Sequence, residues 1–159
     1  MYKNSESGRS MIEMLGVLMI MGVITAAAVA MITTAIQSTN RAATGDQVTQ
    51  IVSGVRQIHG QRDDYSGIDN TFTLGAIGVQ ARARRGSTVF SIEANPVDTR
   101  QFIVTIGGLN QSDCKFFSTK AWVDSVGFQM SDGRMGGATA YPIHCDATGG
   151  RNSVRIIFQ

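Results

Sequence analysis

Two histidines, two cysteines and three glutamates are the residues that could support acid–base, nucleophilic or metal chemistry in this 159-residue chain. Either His59 or His144 would have to be the base that activates a nucleophile. His144 adjoins Cys145, but a structural zinc ion takes four ligands, usually in spaced pairs. His59 falls beside an apolar helical stripe, which favours a helix–sheet boundary. No nucleotide-binding, zinc-protease or CxxC motif is present. The pattern therefore predicts no enzyme, no metal and no cofactor.

The two cysteines could instead be structural. Cys114 and Cys145 have 30 residues between them. A disulfide that closes a loop of this size stabilises a fold by about 3–4 kcal/mol in the chain-entropy treatment. Both cysteines follow the uncharged segment described below, which is long enough to span a membrane. If that segment places them outside the cytoplasm, the compartment is oxidising and favours the bond. Two buried free thiols are the alternative.

The densest group of charges is Arg82, Arg84 and Arg85. These cations could bind phosphate groups, or they could be the solvated end of a helix or a contact to an acidic loop such as residues 63–64. No aromatic residue lies between them, and the net charge of the chain is only +2. A solvated helix end or a contact to an acidic loop of a neighbouring molecule is favoured over phosphate binding, and a nucleic-acid partner is not expected.

The element that dominates the sequence is uncharged. None of the 27 positions from Met14 to Asn40 carries a charge, and the segment Met14–Ile36 is 23 residues long. About 20 apolar residues cross the hydrocarbon core of a bilayer. This segment is therefore a candidate membrane span.

Two ordinary kinds of membrane segment would explain part of this pattern. One is a secretory signal peptide with cleavage after small residues such as Ala28 and Ala30, although the apolar run is longer than such a signal needs. The other is a plain single-pass anchor. Neither explains why Glu13 lies inside the apolar run Met11–Ile32, where an ionisable side chain is costly and usually functional.

Beyond Thr39 the pattern becomes amphipathic. Aliphatic residues recur at helical spacing; they are Val48, Ile51, Val52, Val55 and Ile58. No proline precedes Pro96, so the sequence predicts one continuous helix of about 50 residues from Ser10 to the Gly60 region. Its second half would lie on a domain.

The rest of the chain has the pattern of an α+β domain. A short helix is expected within 72–85, stopped by Gly86, and a second helix is expected over 111–122 with Asn110 or a serine as its N-cap. Four alternating or apolar runs predict strands: 89–93, 101–106 ended by Gly107 and Gly108, 126–130, and 153–158. Residues 131–138 and 146–152 are expected to be loops. Short connections favour an antiparallel sheet, with the long helix against one face.

The residues around Glu13 resemble a known signal. The string GRSMIEMLGVL, residues 8–18, is similar to the class III signal of type IV prepilins and pseudopilins. That signal has a short leader ending in glycine, a cleavage site, and a glutamate as the fifth residue of the mature chain. The resemblance implies cleavage between Gly8 and Arg9 and a role for Glu13 in assembly. Arg9 stands where the family usually has an apolar residue.

The cysteines resemble those of one branch of this family. In type IVb pilins a cysteine at the start of a late helix is bridged to one near the terminal strand, and residues 109–115 resemble that placement. The resemblance implies a Cys114–Cys145 disulfide and a type IV pilin-like α+β fold. It divides the chain into a leader (1–8), a transmembrane and filament-core helix (9–40) and a globular head (41–159).

Taken together, the resemblance implies a structural subunit of an extracellular type IVb-like pilus. Its partners would be identical subunits in a helical filament, a prepilin peptidase, the bacterial inner membrane and the pilus assembly machinery. A minor pilin, a secretion-system pseudopilin and a membrane-tethered periplasmic binding domain are the alternatives. The chain would reside in the inner membrane before assembly and on the cell surface afterwards.

Overall fold

The computed structural model describes the chain in six stretches: 6–60, 64–83, 87–130, 135–137, 145 and 152–159. Side chains are described for 11–60, 64–83, 87–127, 145 and 152–159. Contacts divide the chain into one unit up to Thr39 and a second unit from Asn40 to Gln159. Helix α1 (Glu6–His59) contributes to both units.

Helix α1 is continuous over 54 residues, which agrees with the expected long helix. In its second half the spacing of aliphatic residues determines which side chains enter the core. Val48, Ile51, Val52 and Val55 are buried there. Ile58, the last residue of the predicted stripe, remains 39% exposed, so the buried stripe ends one turn before the helix does.

Helix α2 (Asn70–Ile77) begins and ends earlier than the sequence predicted. The Asp69 carboxylate caps its first turn by accepting a hydrogen bond from the Phe72 amide at 2.6 Å. Gly78 ends the helix in the left-handed conformation, with φ of 74°. The expected stop at Gly86 was wrong because an earlier glycine serves, and Gly86 itself lies outside the described residues.

The segment after α2 supports the edge of the sheet instead of extending a helix. The Phe90 amide donates to the Ala81 carbonyl at 2.6 Å, and the Ala83 amide donates to the Thr88 carbonyl at 2.8 Å. The Ile92 amide donates to the Asn70 side-chain oxygen at 2.8 Å. The first and third of these bonds satisfy backbone amides of residues 89–94, which form an edge strand of the sheet, so these amides are not free to pair with another chain.

The sheet is antiparallel, as expected, with the order β1-β2-β5-β3-β4. Its strands are β1 (Val89–Ala94), β2 (Phe102–Leu109), β3 (Ser125–Met130), β4 (Met135–Gly137) and β5 (Asn152–Phe158). The short β4 was predicted as loop, because three residues that include two glycines carry no strand pattern.

Strand β2 continues through the two glycines that were expected to end it. The register with β5 shifts between Ile106 and Leu109, which is a local irregularity of the bulge type. Gly108 has φ of 73°, and a Cβ atom there would lie 2.5 Å from the Ser87 carbonyl oxygen. Gly108 therefore allows the strand to bend and continue, instead of stopping it.

Helix α3 (Gln111–Thr119) follows β2 directly. The Asn110 side chain accepts a hydrogen bond from the Asp113 amide at 2.8 Å, so Asn110 is the N-cap that the sequence predicted. Phe117 of α3 is buried, and its ring lies 6.1 Å from that of Trp122. Helix α3 thereby joins the core that α1 forms with the sheet.

Gly54 brings α2 close to α1. A Cβ atom at this position would lie 2.5–2.8 Å from three side-chain carbons of Ile77. Because Ile77 is β-branched, rotation of one torsion cannot move all three atoms away. The glycine that weakens α1 in isolation is therefore needed for the contact between the two helices.

We predict that Gly54→Ala destabilises the unit from Asn40 to Gln159 despite the better helix propensity of alanine. Overpacking costs about 1–3 kcal/mol, which exceeds the gain of up to ~1 kcal/mol from replacing a helical glycine. Gly75→Ala in α2 is the matched control, since its Cβ atom would meet nothing within 4 Å. Urea unfolding of the 40–159 fragment measures both. A Gly54→Ala fragment as stable as the wild type would contradict the contact.

Candidate functional site

The first half of α1 has a large apolar surface that no other part of the chain covers among the described residues. Every side chain from Met11 to Thr39 is exposed. Each large apolar side chain from Met11 to Ile36 exposes more than half of its surface. This is the helix of the described chain that is long and apolar enough to cross a membrane, with mean hydropathy 2.5 in its most apolar window. Such a surface requires lipid or protein around it.

The threonine hydroxyls in this segment are already hydrogen-bonded. The Thr25 hydroxyl donates to the Met21 carbonyl at 2.8 Å. The hydroxyls of Thr33 and Thr34 both donate to the Ala30 carbonyl, at 2.9 and 3.1 Å. Bonds of this kind allow threonine to enter lipid without an unsatisfied polar group. The segment is therefore suited to an apolar environment despite its threonines.

Glu13 is the charged residue of this apolar segment. It lies in the first turns of α1 and is exposed. No described residue lies within hydrogen-bond distance of its carboxylate. A carboxylate is expensive in an apolar medium unless it is paired, and no described residue pairs with Glu13, so it is the candidate for a specific contact with a group outside the described residues.

Gly8 and Arg9, the predicted cleavage site, both lie within the bounds of α1. Their side chains are outside the part that the structure describes, and cleavage there stays a prediction. Gly16 and Gly22 lie further along the helix. A Cβ atom at either would meet nothing within 4 Å. No contact within the described chain explains why these two positions are glycine.

At the start of the second unit, Arg41 connects α1 to the first turn of α3. Its Nε donates to Asp113 Oδ1 at 2.7 Å, and its Nη2 donates to the Ser112 hydroxyl at 2.5 Å. Its guanidinium carbon lies 5.0 Å from the centre of the Phe116 ring. We call these three contacts the Arg41 clamp. Sequence reasoning missed the clamp, because its partners are 71–75 positions away in the chain.

The disulfide lies next to the clamp. Cys114 and Cys145 are bonded, with their Cα atoms 5.9 Å apart, which agrees with the pairing implied by the resemblance. Cys114 is fully buried in α3. Gln111, in the same turn, donates from Nε2 to the Cys145 carbonyl at 3.2 Å. The first turn of α3 is thus attached both to α1 and to the Cys145 segment.

A second arginine of α1 makes a separate set of contacts. Arg56 Nη1 lies 2.9 Å from Asp124 Oδ2, and Arg56 Nε donates to the main-chain oxygen of Gln159 at 3.0 Å. This ion pair lines a groove of about 310 Å³ between α1 and the 120–124 loop. Beside the ion pair its described lining includes Ser53 and Lys120 and contains no cysteine or histidine.

The remaining candidates do not form a site. His59 Nε2 lies 3.5 Å from the Thr73 hydroxyl, so His59 faces α2 instead of the expected helix–sheet boundary. His144 lies outside the described residues. The described residues contain no group of three or more histidine, cysteine or acidic side chains that could hold a metal. Arg82 is exposed but lies beyond the end of α2 and bridges to Val89, so the expected helix end was wrong for this residue; Arg84 and Arg85 are not described.

One exposed carboxylate has a shifted pKa. Asp64 accepts hydrogen bonds from the Ser66 amide and hydroxyl, both at 2.9 Å, and the amide bond is the main cause of its lowered pKa. Because the folded pKa is below the unfolded value, this group favours folding above the unfolded pKa. That contribution is lost as the pH falls through the folded pKa. Tyr65, which lies within this turn, is buried in the core.

We predict that the disulfide stabilises the 40–159 unit by about 3–4 kcal/mol, as expected for a loop of this length. Replacing both Cys114 and Cys145 with serine should lower the free energy of urea unfolding by that amount under oxidising conditions. In excess reductant the two proteins should have similar stability. The intact mass of the wild type measured without reductant should be lower by two hydrogens than the mass of its reduced form. Free thiols in protein taken from the cell exterior would contradict the bond.

Comparison with known proteins identifies the architecture. No protein-family model matches the sequence, and no curated protein matches it. Among solved structures, the chain is similar to TcpA, a type IV pilin from Vibrio cholerae El Tor biotype, with a TM-score of 0.53. The similarity covers 76% of this chain and 99% of TcpA at 13% sequence identity. A likeness at this identity establishes the fold alone. The long N-terminal helix, the antiparallel sheet and the disulfide-bonded α3 therefore belong to a type IV pilin fold.

Proposed function

We propose that the chain is a structural subunit of an extracellular type IV pilus, most similar to the type IVb kind. The observation that carries the proposal is the exposed apolar surface of α1 from Met11 to Ile36, on a chain with the type IV pilin fold. A pilus subunit uses such a surface at two stages. It holds the monomer in the inner membrane, and it then packs against the same segment of other copies outside the cell.

In this proposal the chain has three parts. Residues 1–8 are a leader that a prepilin peptidase removes, residues 9–40 are the membrane and filament-core helix, and residues 41–159 are the head. The pilus assembly machinery moves the helix from lipid into the filament. A helical filament needs contacts that do not close into a ring, and differing surfaces of the heads would supply them.

Glu13 sets the register in the proposed filament. Lipid tails are as apolar as the side chains of the helix, so hydrophobicity alone does not fix how neighbouring helices align. Cleavage after Gly8 creates an α-amino group on Arg9. That cation can pair with the Glu13 carboxylate of a neighbouring subunit. A misaligned neighbour would leave a buried charge without a partner, which costs about 3–5 kcal/mol.

We predict that Glu13→Gln preserves membrane insertion and the folded head but lowers the filament yield at least about tenfold, since a buried amine would lose its charged partner. Electron microscopy and weighing of sheared filaments measure the yield. Thr25→Ala is the control, because the Thr25 hydroxyl bonds only its own helix and filaments should form normally. Normal yield and unchanged helical parameters from Glu13→Gln would show that assembly does not use the carboxylate.

We also predict that the mature chain begins at Arg9. Gly8→Phe should leave unprocessed protein in the membrane, because a bulky side chain would occupy the position where the peptidase accepts glycine. Gly16→Ala is the matched glycine change and should be processed normally. N-terminal sequencing and intact mass identify the first residue. A mature chain that starts just after Ala28 or Ala30 would indicate a secretory signal peptide and would overturn the pilin proposal.

A membrane-tethered periplasmic domain is the second candidate, because one apolar helix also suffices for a tether. It predicts abundant protein in the inner membrane with no fibres. A minor pilin or secretion pseudopilin predicts fibres in which this chain is a small fraction of the mass. Electron microscopy for fibres distinguishes the tethered domain from a pilin, and weighing the dominant subunit of purified fibres distinguishes a minor pilin or pseudopilin from a major pilin.

A further inference from the structure

The first turn of α3 is held from two directions by chemically different bonds. Toward α1 it is held by the Arg41 clamp, through Asp113 and Ser112. Toward the Cys145 segment it is held by the disulfide of Cys114. The two attachment points are adjacent residues of one helical turn, so displacement of Cys114 displaces the Asp113 carboxylate as well.

The Asp113 carboxylate is fixed in a geometry that suits an arginine. Its Oδ2 accepts from the Asn110 side-chain amide at 2.7 Å, which leaves Oδ1 for Arg41. The Arg41 side chain is only 23% exposed and the Asp113 side chain 28% exposed. A partly buried, charge-assisted bond of this kind is stronger than a neutral one and depends closely on geometry.

The other end of α3 contacts the same part of α1. The Lys120 ammonium lies 4.5 Å from the centre of the Trp122 ring. The Lys120 Nζ atom also lies close to Gly45: a Cβ atom added at Gly45 would be 2.5 Å from it. Helix α3 therefore meets α1 at Arg41, and Lys120, the residue that follows α3, lies next to Gly45; both are in the first turns of α1 within the second unit. These are the turns whose position α3 can control.

We propose that the disulfide acts on α1 through Arg41: the bonded Cys114 holds α3 where Asp113 and Ser112 meet the guanidinium, and so fixes the turn Arg41–Gly45. Arg41 is a positioning residue in this arrangement. Reduction of the disulfide yields two thiols, with two electrons and two protons supplied by a dithiol such as dithiothreitol, which closes into its own disulfide. In the reduced chain the first turn of α3 loses this restraint, and the clamp weakens.

This coupling gives oxidation a role beyond stabilising the head. The turn Arg41–Gly45 is where the uncharged segment of α1 continues into the head. A subunit that is not yet oxidised would hold this turn loosely, and its helix would be poorly set for packing with other copies. That consequence rests on the proposed function, whereas the coupling between the disulfide and Arg41 does not.

Coupling between two sites is reciprocal, so the clamp must also favour the disulfide. The test uses the full chain in detergent micelles, equilibrated in glutathione redox buffers, with thiols trapped and counted by mass. Arg41→Gln should make the disulfide about tenfold easier to reduce, a shift of about 30 mV for a two-electron couple. Arg56→Gln is the matched control. It also removes an ion-paired arginine of α1, but its partners Asp124 and Gln159 are not in the disulfide turn.

Hydrogen exchange gives a second and independent readout on the same samples. Reduction of the wild type should speed exchange of the amides between residues 42 and 48 by about tenfold, and Arg41→Gln should do the same with the disulfide intact. Reduction of Arg41→Gln should then add little, because both changes release the same contact. Exchange at Val55 should be unaffected by Arg41→Gln.

The outcomes separate the proposal from a general loss of stability. Equal shifts in reducibility from Arg41→Gln and Arg56→Gln would overturn it, because any destabilised head would behave that way. Additive effects of reduction and Arg41→Gln on residues 42–48 would also overturn it. Neither measurement uses filaments, so failure here is distinguishable from failure of the pilus proposal.

Discussion

The constraint on which the structure depends is that the apolar surface of α1 cannot remain in water. Large aliphatic and methionine side chains cover the helix on all sides from Met11 to Ile36, so no single face can be turned toward a core. The threonines in the segment bond their own backbone and do not relieve this constraint. The segment therefore requires a surrounding of lipid or of other helices. The head, in contrast, has a closed core of its own.

In its second half the same helix packs one apolar face into a core, instead of being apolar on all sides. There the apolar residues form one stripe, and Val48, Ile51, Val52 and Val55 are buried with the inner residues of the sheet. Gly54 and Gly45 lie where α2 and Lys120 come closest to the helix. The change from an all-round apolar surface to a single stripe is therefore accompanied, at Gly54, by a close contact that needs a small residue. Arg41 lies at the start of this second half and is already paired.

The sequence predicted the elements whose signals are local. The length of α1 followed from apolar periodicity without proline, and the start of α3 followed from the Asn110 cap. The end of α2 was mispredicted because Ala81 and Ala83, which suit a helix, bond to the edge of the sheet instead. Gly107 and Gly108 were expected to end β2, since a bulge that continues a strand has no distinct local pattern. The Arg41 clamp could not be predicted, because its partners come together only when β2 and α3 have been placed. The roles of Gly8, Arg9 and Glu13 stay predictions.

The most direct measurement of the central claim is a cryo-electron microscopy reconstruction of fibres sheared from cells that express this chain. The account predicts a helical filament in which the Met11–Ile36 segments of many copies lie side by side in the centre, with the 41–159 heads outside. It also predicts density for the Arg9 amine within reach of Glu13 of a neighbouring copy. Cells that yield no fibres, with the full-length chain retained in the inner membrane, would contradict the account. A filament in which the apolar segments do not contact one another would contradict it as well.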